Sequence, residues 1–277
     1  MAPTFVVVPQ WQGSISPRAM RLVDGATAIQ GDLPFSATRL VDVPVEAGDA
    51  LDTGIQRFSA IAEVRERHTK ILNDTTDWAL SVGGDCGIAL AAVEHAARRH
   101  PGDLAVVWFD AHPDLHTPAS SPSGGFCGMV LRAISGEGPA ALELTDEGRV
   151  PLQNVVLAGI RDVDEAEDDI LQERSLVSVS CSELSDPAAL VAAVAATGAA
   201  HVFVHIDLDV LDPSAVAGLS DLIPFGLSVA DLGGAITALR KEFSLAGATI
   251  TGFAPSSPEA ATDDLPSILR IIGSLTR

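Results

Sequence analysis

The feature that most constrains the fold is the alternation of short apolar segments with helix-like segments. Four segments have helical patterns, and they span residues 86–100, 186–197, 229–243 and 265–275. Seven apolar runs have the length and composition of buried strands: residues 4–8, 78–82, 104–110, 154–159, 176–179, 201–207 and 248–253. Strands that alternate with helices predict a mostly parallel sheet with helices on both faces. We therefore predict an α/β protein, with residues 1–277 forming a single domain.

Composition narrows the possible partners and compartment. The 277 residues include 17 Lys and Arg against 37 Asp and Glu, which gives a formal net charge of −20. This charge disfavours nucleic acid and anionic membranes as partners. It suits a small cationic molecule, although acidity also serves solubility. Three cysteines, an odd number, favour a reducing compartment, and we find neither a signal-peptide pattern nor an apolar run long enough to span a membrane. We therefore expect a cytoplasmic protein.

Clusters of polar residues follow predicted strands at their carboxyl ends, which is where open parallel sheets bind ligands. Asp110, His112 and Asp114 alternate along one such end, and Asp207 and Asp209 along another. Alternate residues of an extended chain face the same way, so each group converges. Buried carboxylates are costly unless a positive charge neutralises them, and two divalent metal ions would do so.

Three runs, in this order, resemble the signatures of the arginase–agmatinase (ureohydrolase) family. They are Gly83-Gly84-Asp85-Cys86, Asp110-Ala111-His112-Pro113-Asp114, and the run from Asp207 to Pro213. A fourth, from Gly159 to Asp164, is similar to a stretch typical of arginases. The resemblance extends over nearly the whole chain. It implies a three-layer α/β/α fold, two Mn²⁺ ions per chain, and hydrolysis of a guanidine-type C–N bond by a metal-bridging hydroxide.

The resemblance also implies a role for each matching residue. Asp110 and Asp207 would bridge both metal ions and serve catalysis directly. Asp114 and Cys86 would complete the coordination of one ion, and His112 and Asp209 that of the other. Asp164 would bind the α-amino group of an amino-acid substrate. Ser123, in a Ser-, Pro- and Gly-rich loop over residues 117–126, would bind the α-carboxylate.

The chain departs from the family at the first metal position, where Cys86 replaces a histidine. One interpretation is that Cys86 binds the metal as a thiolate and adds a negative charge to the centre. The other is an unliganded thiol with a weakened metal site, because Mn²⁺ prefers oxygen and nitrogen ligands. We favour ligation, because the other ligands are intact.

Three further departures affect the substrate and the proton. Cys127 stands where arginases have a proton-shuttling His, and it is either a weak proton donor or simply a small buried residue. His116 replaces an Asn that contacts the substrate carboxylate; it would bind substrate or partly replace the shuttle. Pro255 falls where the family has a Glu that pairs with the guanidinium, so either Glu259 takes that place or the charged partner is lost.

These departures favour a substrate less basic than arginine. Nω-hydroxy-L-arginine fits, because its N-hydroxyguanidine is far less basic than a guanidine and can be neutral at pH 7, and its hydroxyl can relay a proton. Its products would be L-ornithine and hydroxyurea. The departures resemble those of the hydroxyarginine-hydrolysing arginase homologues of D-cycloserine biosynthesis. The alternatives are an ordinary ureohydrolase (arginase, agmatinase, or a formimino- or guanidino-acid hydrolase), a catalytically inactive binding homologue, and a deacetylase of related fold.

We expect a monomer rather than the trimer of many arginases, because the chain stops directly after its last predicted helix.

Overall fold

The computed structural model of the protein describes residues 3–277, and its centre is one eight-stranded sheet in which every strand pair is parallel. The strands are β1 (Thr4–Val7), β2 (Thr38–Leu40), β3 (Ala79–Val82), β4 (Leu104–Phe109), β5 (Val155–Ala158), β6 (Val177–Val179), β7 (His201–Asp207) and β8 (Ser244–Thr251). Their order across the sheet is β2-β1-β3-β8-β7-β4-β5-β6.

Eight α-helices connect the strands: α1 (Arg21–Gly31), α2 (Phe58–Asn73), α3 (Ala89–Arg99), α4 (Val130–Ile134), α5 (Glu165–Glu173), α6 (Ala188–Ala196), α7 (Val229–Glu242) and α8 (Pro258–Thr276). They contribute to two apolar cores, one on each face of the sheet. In β4 the side chains of Val107 and Phe109 enter one core, while those of Val106 and Trp108 enter the other. Burial on both faces explains the continuous apolar run of this strand. The predicted three-layer α/β/α fold is confirmed.

The predicted elements are present, with differences at their ends. Strand β8 begins at Ser244, four residues before the predicted start. Helix α8 begins at Pro258 rather than at residue 265, because Ser257 caps it and proline is well tolerated in a first helical turn. Strand β2 and helices α1, α2, α4 and α5 were not predicted. Within residues 3–277, no helix combines the length and apolarity needed to cross a membrane.

Four neighbouring strands of the sheet end at the same place. β3, β8, β7 and β4 are adjacent and parallel, so their carboxyl ends lie along one edge of the sheet. The register pairs Phe109 with Ile206, and Asp207 with Thr251. The residues that follow β3 and β4 therefore lie beside Asp207. This edge brings together the three sequence runs that carry the predicted ligands.

Candidate metal centre

Asp110 lies at the middle of the group of candidate ligands, and its two carboxylate oxygens face different neighbours. Oδ1 lies 3.4 Å from Nδ1 of His112, while Oδ2 lies 3.7 Å from Sγ of Cys86. The His112 Nδ1 atom is also 3.0 Å from Oδ2 of Asp209. The carboxylate of Asp110 thus joins two halves of one centre, as a bridging ligand of two ions must.

The half that contains Cys86 also contains Asp207. The Cys86 thiol donates to Oδ2 of Asp207 over 3.0 Å, and the Thr251 hydroxyl donates to the same oxygen over 3.1 Å. Oδ1 of Asp207 accepts the backbone N–H of Asp209 at 2.9 Å. Gly252 makes room for this carboxylate: its φ is +81°, and a Cβ there would lie 2.2 Å from the Asp207 Oδ1 atom. The backbone after β8 therefore holds Asp207 in place.

Asp114 completes the predicted set in an unusual way. The residue has a left-handed backbone (φ +52°), which turns its buried side chain toward the other carboxylates. Its Oδ2 atom is buried without a hydrogen-bond partner among the described residues. Burial, followed by the charge of Asp110, raises the pKa of this carboxyl well above its usual value. An orphaned, buried carboxylate oxygen of this kind fits a cation.

The pKa shifts of the other candidate ligands also favour bound cations. Burial, reinforced by neighbouring carboxylates, raises the pKa of Asp207 well above its usual value and that of Asp209 to about 6. Burial and then Asp207 also raise the pKa of the Cys86 thiol. Burial opposes the charged form of His112, but its contacts with Asp110 and Asp209 outweigh burial and raise its pKa. The residues fit a pair of divalent ions, because cations would stabilise this packed negative charge and favour the thiolate.

Asp85, in the same run as Cys86, has a structural role. Its carboxylate accepts the side-chain amide of Gln10 and the backbone N–H groups of Gly13 and Gly87, each at 2.9 Å. Burial raises its pKa to about 6, although these hydrogen bonds counteract the effect. Asp85 thereby fixes the segment near Gly13, which passes close to the centre.

The predicted substrate residues Asp164 and His116 contact each other. Asp164 caps α5: its Oδ1 accepts the N–H of Glu167 at 3.0 Å. Its Oδ2 lies 2.9 Å from Nε2 of His116, whose Nδ1 is 3.2 Å from the Ser120 hydroxyl. Both ring nitrogens of His116 therefore have partners within the protein. The Ser123 hydroxyl accepts the N–H of Gly125 at 3.2 Å.

The sequence left two questions open: whether Cys127 can donate a proton, and whether Glu259 replaces the family's guanidinium-binding glutamate. Cys127 lines the same cavity as the centre, and burial, followed by the charge of Asp114, raises the pKa of its thiol. Glu259 lies exposed in the first turn of α8, outside that cavity. The alternative in which Glu259 replaces the family's glutamate is therefore wrong, because the early start of α8 directs this residue to solvent. Pro255 is buried but does not line the cavity.

The cavity above the centre has a volume of about 390 Å³, which lies in the range of small-molecule sites. Nine carboxylate residues line it: Asp85, Asp110, Asp114, Asp162, Asp164, Glu167, Asp207, Asp209 and Asp221. Among the lining residues of the described chain there is no Lys or Arg. Such a cavity selects metal ions and ligands with cationic or hydrogen-bond-donating groups.

Comparison with known proteins agrees with this geometry. A family model described as the Arginase family matches residues 13–268. The chain belongs to the arginase family. An arginase of Staphylococcus aureus (strain MRSA252) is 29% identical over 209 residues, covering 72% of this chain and 67% of the relative. An N(omega)-hydroxy-L-arginine amidinohydrolase of Streptomyces lavendulae is 27% identical over 270 residues, covering 94% and 93%. The solved arginase of Entamoeba histolytica in complex with L-ornithine superposes with a TM-score of 0.84 at 22% identity, over 99% of both chains.

As an arginase-family hydrolase, this protein acts on amidine C–N bonds, and its family depends on a binuclear metal centre. Sequence reasoning missed four residues here: His205 and Thr251 at the centre, and Glu167 and Asp221 in the cavity wall. His205 had a detectable signal, because it stands two residues before Asp207 on the same strand. The sequence around Asp221 contained no comparable signal.

Proposed function

We propose that this arginase-family protein is a binuclear manganese amidinohydrolase that converts Nω-hydroxy-L-arginine and water into L-ornithine and hydroxyurea. The observation that carries the proposal is the position of Asp110, whose two oxygens face His112 on one side and Cys86 on the other. We further propose a monomeric cytoplasmic enzyme of D-cycloserine biosynthesis, without nucleic-acid or membrane partners.

The ligand set divides into two halves that share carboxylates. Asp110 and Asp207 would bridge, Cys86 and Asp114 would complete one ion, and His112 and Asp209 the other. When bound, the two divalent ions lower the pKa of water and polarise the carbon under attack. The backbone N–H groups of Ala111 and Asp209 hold Oδ1 of Asp209 and Oδ1 of Asp207, at 3.0 and 2.9 Å, and Oδ2 of each carboxylate faces the other candidate ligands. The protein thus fixes the geometry of its ligands before any ion binds.

The substrate end of the cavity provides negative charge for an amino group. Asp164 and Glu167 lie on the first turn of α5, and both line the cavity. Asp164 is also the partner of His116, so an incoming α-amino group would share that carboxylate with the imidazole. Asp221 is a further carboxylate in the cavity wall. We propose that it binds the guanidine N–H groups of the substrate, in place of the family's glutamate, which this chain lacks. The long axis of an amino acid would then run from α5 toward the metal centre.

Proton transfer distinguishes the substrates. The amine that leaves is the δ-amine of ornithine for both arginine and hydroxyarginine, and it must gain a proton. Cys127 holds a proton but releases it weakly, because burial and nearby carboxylates raise its pKa. Hydroxyarginine brings a hydroxyl group on its guanidine, which relays a proton inside the cavity. Its neutral guanidine also needs less compensating charge than arginine does.

The test is to measure turnover of L-arginine, agmatine and Nω-hydroxy-L-arginine side by side with Mn²⁺ supplied, separating urea from hydroxyurea by chromatography. We expect kcat/KM for hydroxyarginine to exceed that for arginine at least tenfold. The matched control is the Asp207→Ala protein, which removes one bridging carboxylate and with it the activity on every substrate.

Two results would replace the proposal. Arginine or agmatine turned over as well as hydroxyarginine would make the protein an ordinary ureohydrolase, with a role outside antibiotic biosynthesis. Absence of turnover together with fewer than one metal ion per chain would make it an inactive homologue that binds a small molecule in the same cavity.

A further inference from the structure

The imidazole of His205 lies beneath the metal centre, and sequence reasoning gave it no role. The side chain is fully buried and stacks on Trp108, with ring centroids 3.6 Å apart. His205 stands two residues before Asp207 on β7, so both side chains face the same side of the sheet. In the described chain four buried side-chain polar atoms lack a hydrogen-bond partner, and two of them, Asp114 Oδ2 and His205 Nε2, belong to this centre.

The two nitrogens of His205 have different surroundings. Nδ1 lies 2.7 Å from the hydroxyl of Thr249, the neighbouring residue on β8. With the Nδ1 proton donated to this hydroxyl, the lone pair of Nε2 points away from Thr249. An N–H group that donates to a neighbouring oxygen is how proteins commonly fix the tautomer of a metal-binding histidine. The imidazole is therefore prepared to bind a cation through Nε2.

The distances around Nε2 suit one shared ion. Nε2 lies 3.8 Å from Oδ2 of Asp110, which in turn lies 3.7 Å from Sγ of Cys86. The three ligand atoms all lie within 4.8 Å of one another. An ion with bonds of about 2.0–2.5 Å to oxygen, nitrogen and sulfur holds neighbouring ligands roughly 3–4 Å apart. The 3.8 Å between His205 Nε2 and Asp110 Oδ2 is too long for a hydrogen bond, so Asp110 does not satisfy Nε2 directly.

We propose that His205 binds, through Nε2, the metal ion that Cys86 and Asp110 hold. This inference rests on the proposed metal centre and adds a ligand to it. The imidazole that the family has at the position of Cys86 would thus be supplied from β7, so that each half of the centre contains one imidazole. The sulfur of Cys86 would then be an additional ligand and not the sole substitute for nitrogen. Mn²⁺ affinity would depend on His205, because Mn²⁺ binds nitrogen better than sulfur.

The first test compares the metal content of His205→Asn with that of the unaltered protein. Asparagine keeps a polar atom near the position of Nδ1, and with it the contact to Thr249, but lacks the Nε2 atom. The matched control is His201→Asn, at the opposite end of β7, where His201 pairs with Asp103 at 2.9 Å. In Mn²⁺ competition with a chelator, we expect two ions in the unaltered and His201→Asn proteins. In His205→Asn we expect one of them to bind at least tenfold more weakly.

A second measurement needs no variant at position 205. In the Co²⁺-loaded protein, each cobalt-bound imidazole gives a strongly shifted N–H proton signal in water. We expect two such signals, and the one from buried His205 should exchange with solvent more slowly than that from His112, whose side chain is 32% exposed. A single signal, or wild-type affinity for both ions in His205→Asn, overturns the inference and leaves the proposed function intact. An unaltered protein that binds no divalent ion overturns both.

Discussion

Removal of the metal should change how the protein's stability responds to pH. Asp209 is buried at the centre, and burial, followed by the charge of Asp110, raises its pKa from 3.8 to about 6 in the absence of metal. A carboxyl group whose pKa is higher in the folded than in the unfolded state binds its proton more readily when folded. The chelated protein should therefore gain stability as the pH falls from about 6 to about 4. Asp114 and Asp207 add to this effect with the same sign.

The size of the effect follows from the pKa of Asp209. A change from 3.8 to about 6 corresponds to about 3 kcal/mol of lost stability in the chelated protein above pH 6. For a protein of this size, about 2–4 °C of melting temperature accompany each kcal/mol, which gives roughly 6–12 °C. Bound cations remove this penalty at neutral pH, because they neutralise the carboxylates without protons. The melting temperatures of loaded and chelated protein should therefore differ most near pH 7.5 and converge toward pH 5.

A buried histidine elsewhere has the opposite dependence. Burial, with a smaller effect from His95, lowers the pKa of His68 from 6.5 to about 3. The unfolded chain then binds this proton first, so stability is lost as the pH falls from 6.5 toward 3. His68 pairs with Ser81, and neither residue lines the cavity of the metal centre, so we expect His68 to act equally on loaded and chelated protein. Its contribution cancels when the two melting curves are subtracted.

The assay is differential scanning fluorimetry of Mn²⁺-loaded and chelated protein between pH 5 and pH 8. The Asp209→Asn protein is the control: when chelated, it should lose part of the pH dependence. A difference between loaded and chelated protein that stays constant, or grows as the pH falls, would refute the view that unneutralised carboxylates destabilise the metal-free centre.

Three substitutions test individual side chains. Asp207→Ala should abolish turnover while circular dichroism shows a folded protein, because it removes a shared ligand; retained turnover would contradict the site. Cys86→His should keep both metal ions and change turnover of hydroxyarginine by less than about tenfold, since a histidine suits the same position; complete loss of metal would contradict it. Asp221→Asn should raise KM for cationic arginine by roughly tenfold and for neutral hydroxyarginine less, through loss of a charge-assisted hydrogen bond; equal KM changes would remove Asp221 from substrate binding.

The buried part of the fold was predictable because its pattern is local. Strand β4 is apolar on both faces and β7 is apolar on one, and short buried runs of this kind between helical segments are typical of strands in a parallel sheet. Strand β2 has only three residues, Thr38 to Leu40, and is little buried, so the sequence contains no apolar run that would predict it. Helix α5 is acidic, and its one local signal was the capping pair of Asp164 and Glu167; of these two residues, sequence reasoning had considered only Asp164, as a substrate ligand.

The grouping of the candidate metal ligands was predictable for a different reason. Asp110, His112 and Asp114 follow one strand, and the parallel sheet alone brings them beside Asp207. Contacts that depend on loops were not predictable. The pairing of His116 with Asp164 requires α5 to fold back over the centre, and the exposed position of Glu259 depends on where α8 begins. Sequence spacing does not specify the path of α5, whereas the start of α8 had a local signal, the Ser257 cap followed by Pro258, that the predicted start at residue 265 overlooked.

The charge of the centre connects the cysteine to the choice of substrate. Four carboxylates, those of Asp110, Asp114, Asp207 and Asp209, would balance two divalent ions, so a thiolate at Cys86 leaves the centre one charge more negative than a histidine would. Extra negative charge weakens the ions as Lewis acids and loosens their hold on an N-hydroxyl oxygen. If hydroxyarginine is the substrate, as we propose, a looser hold on its N-hydroxyl oxygen would favour turnover of the compound over its retention at the centre. Arginine gains nothing from this change, because it lacks the hydroxyl and still needs a strong proton donor.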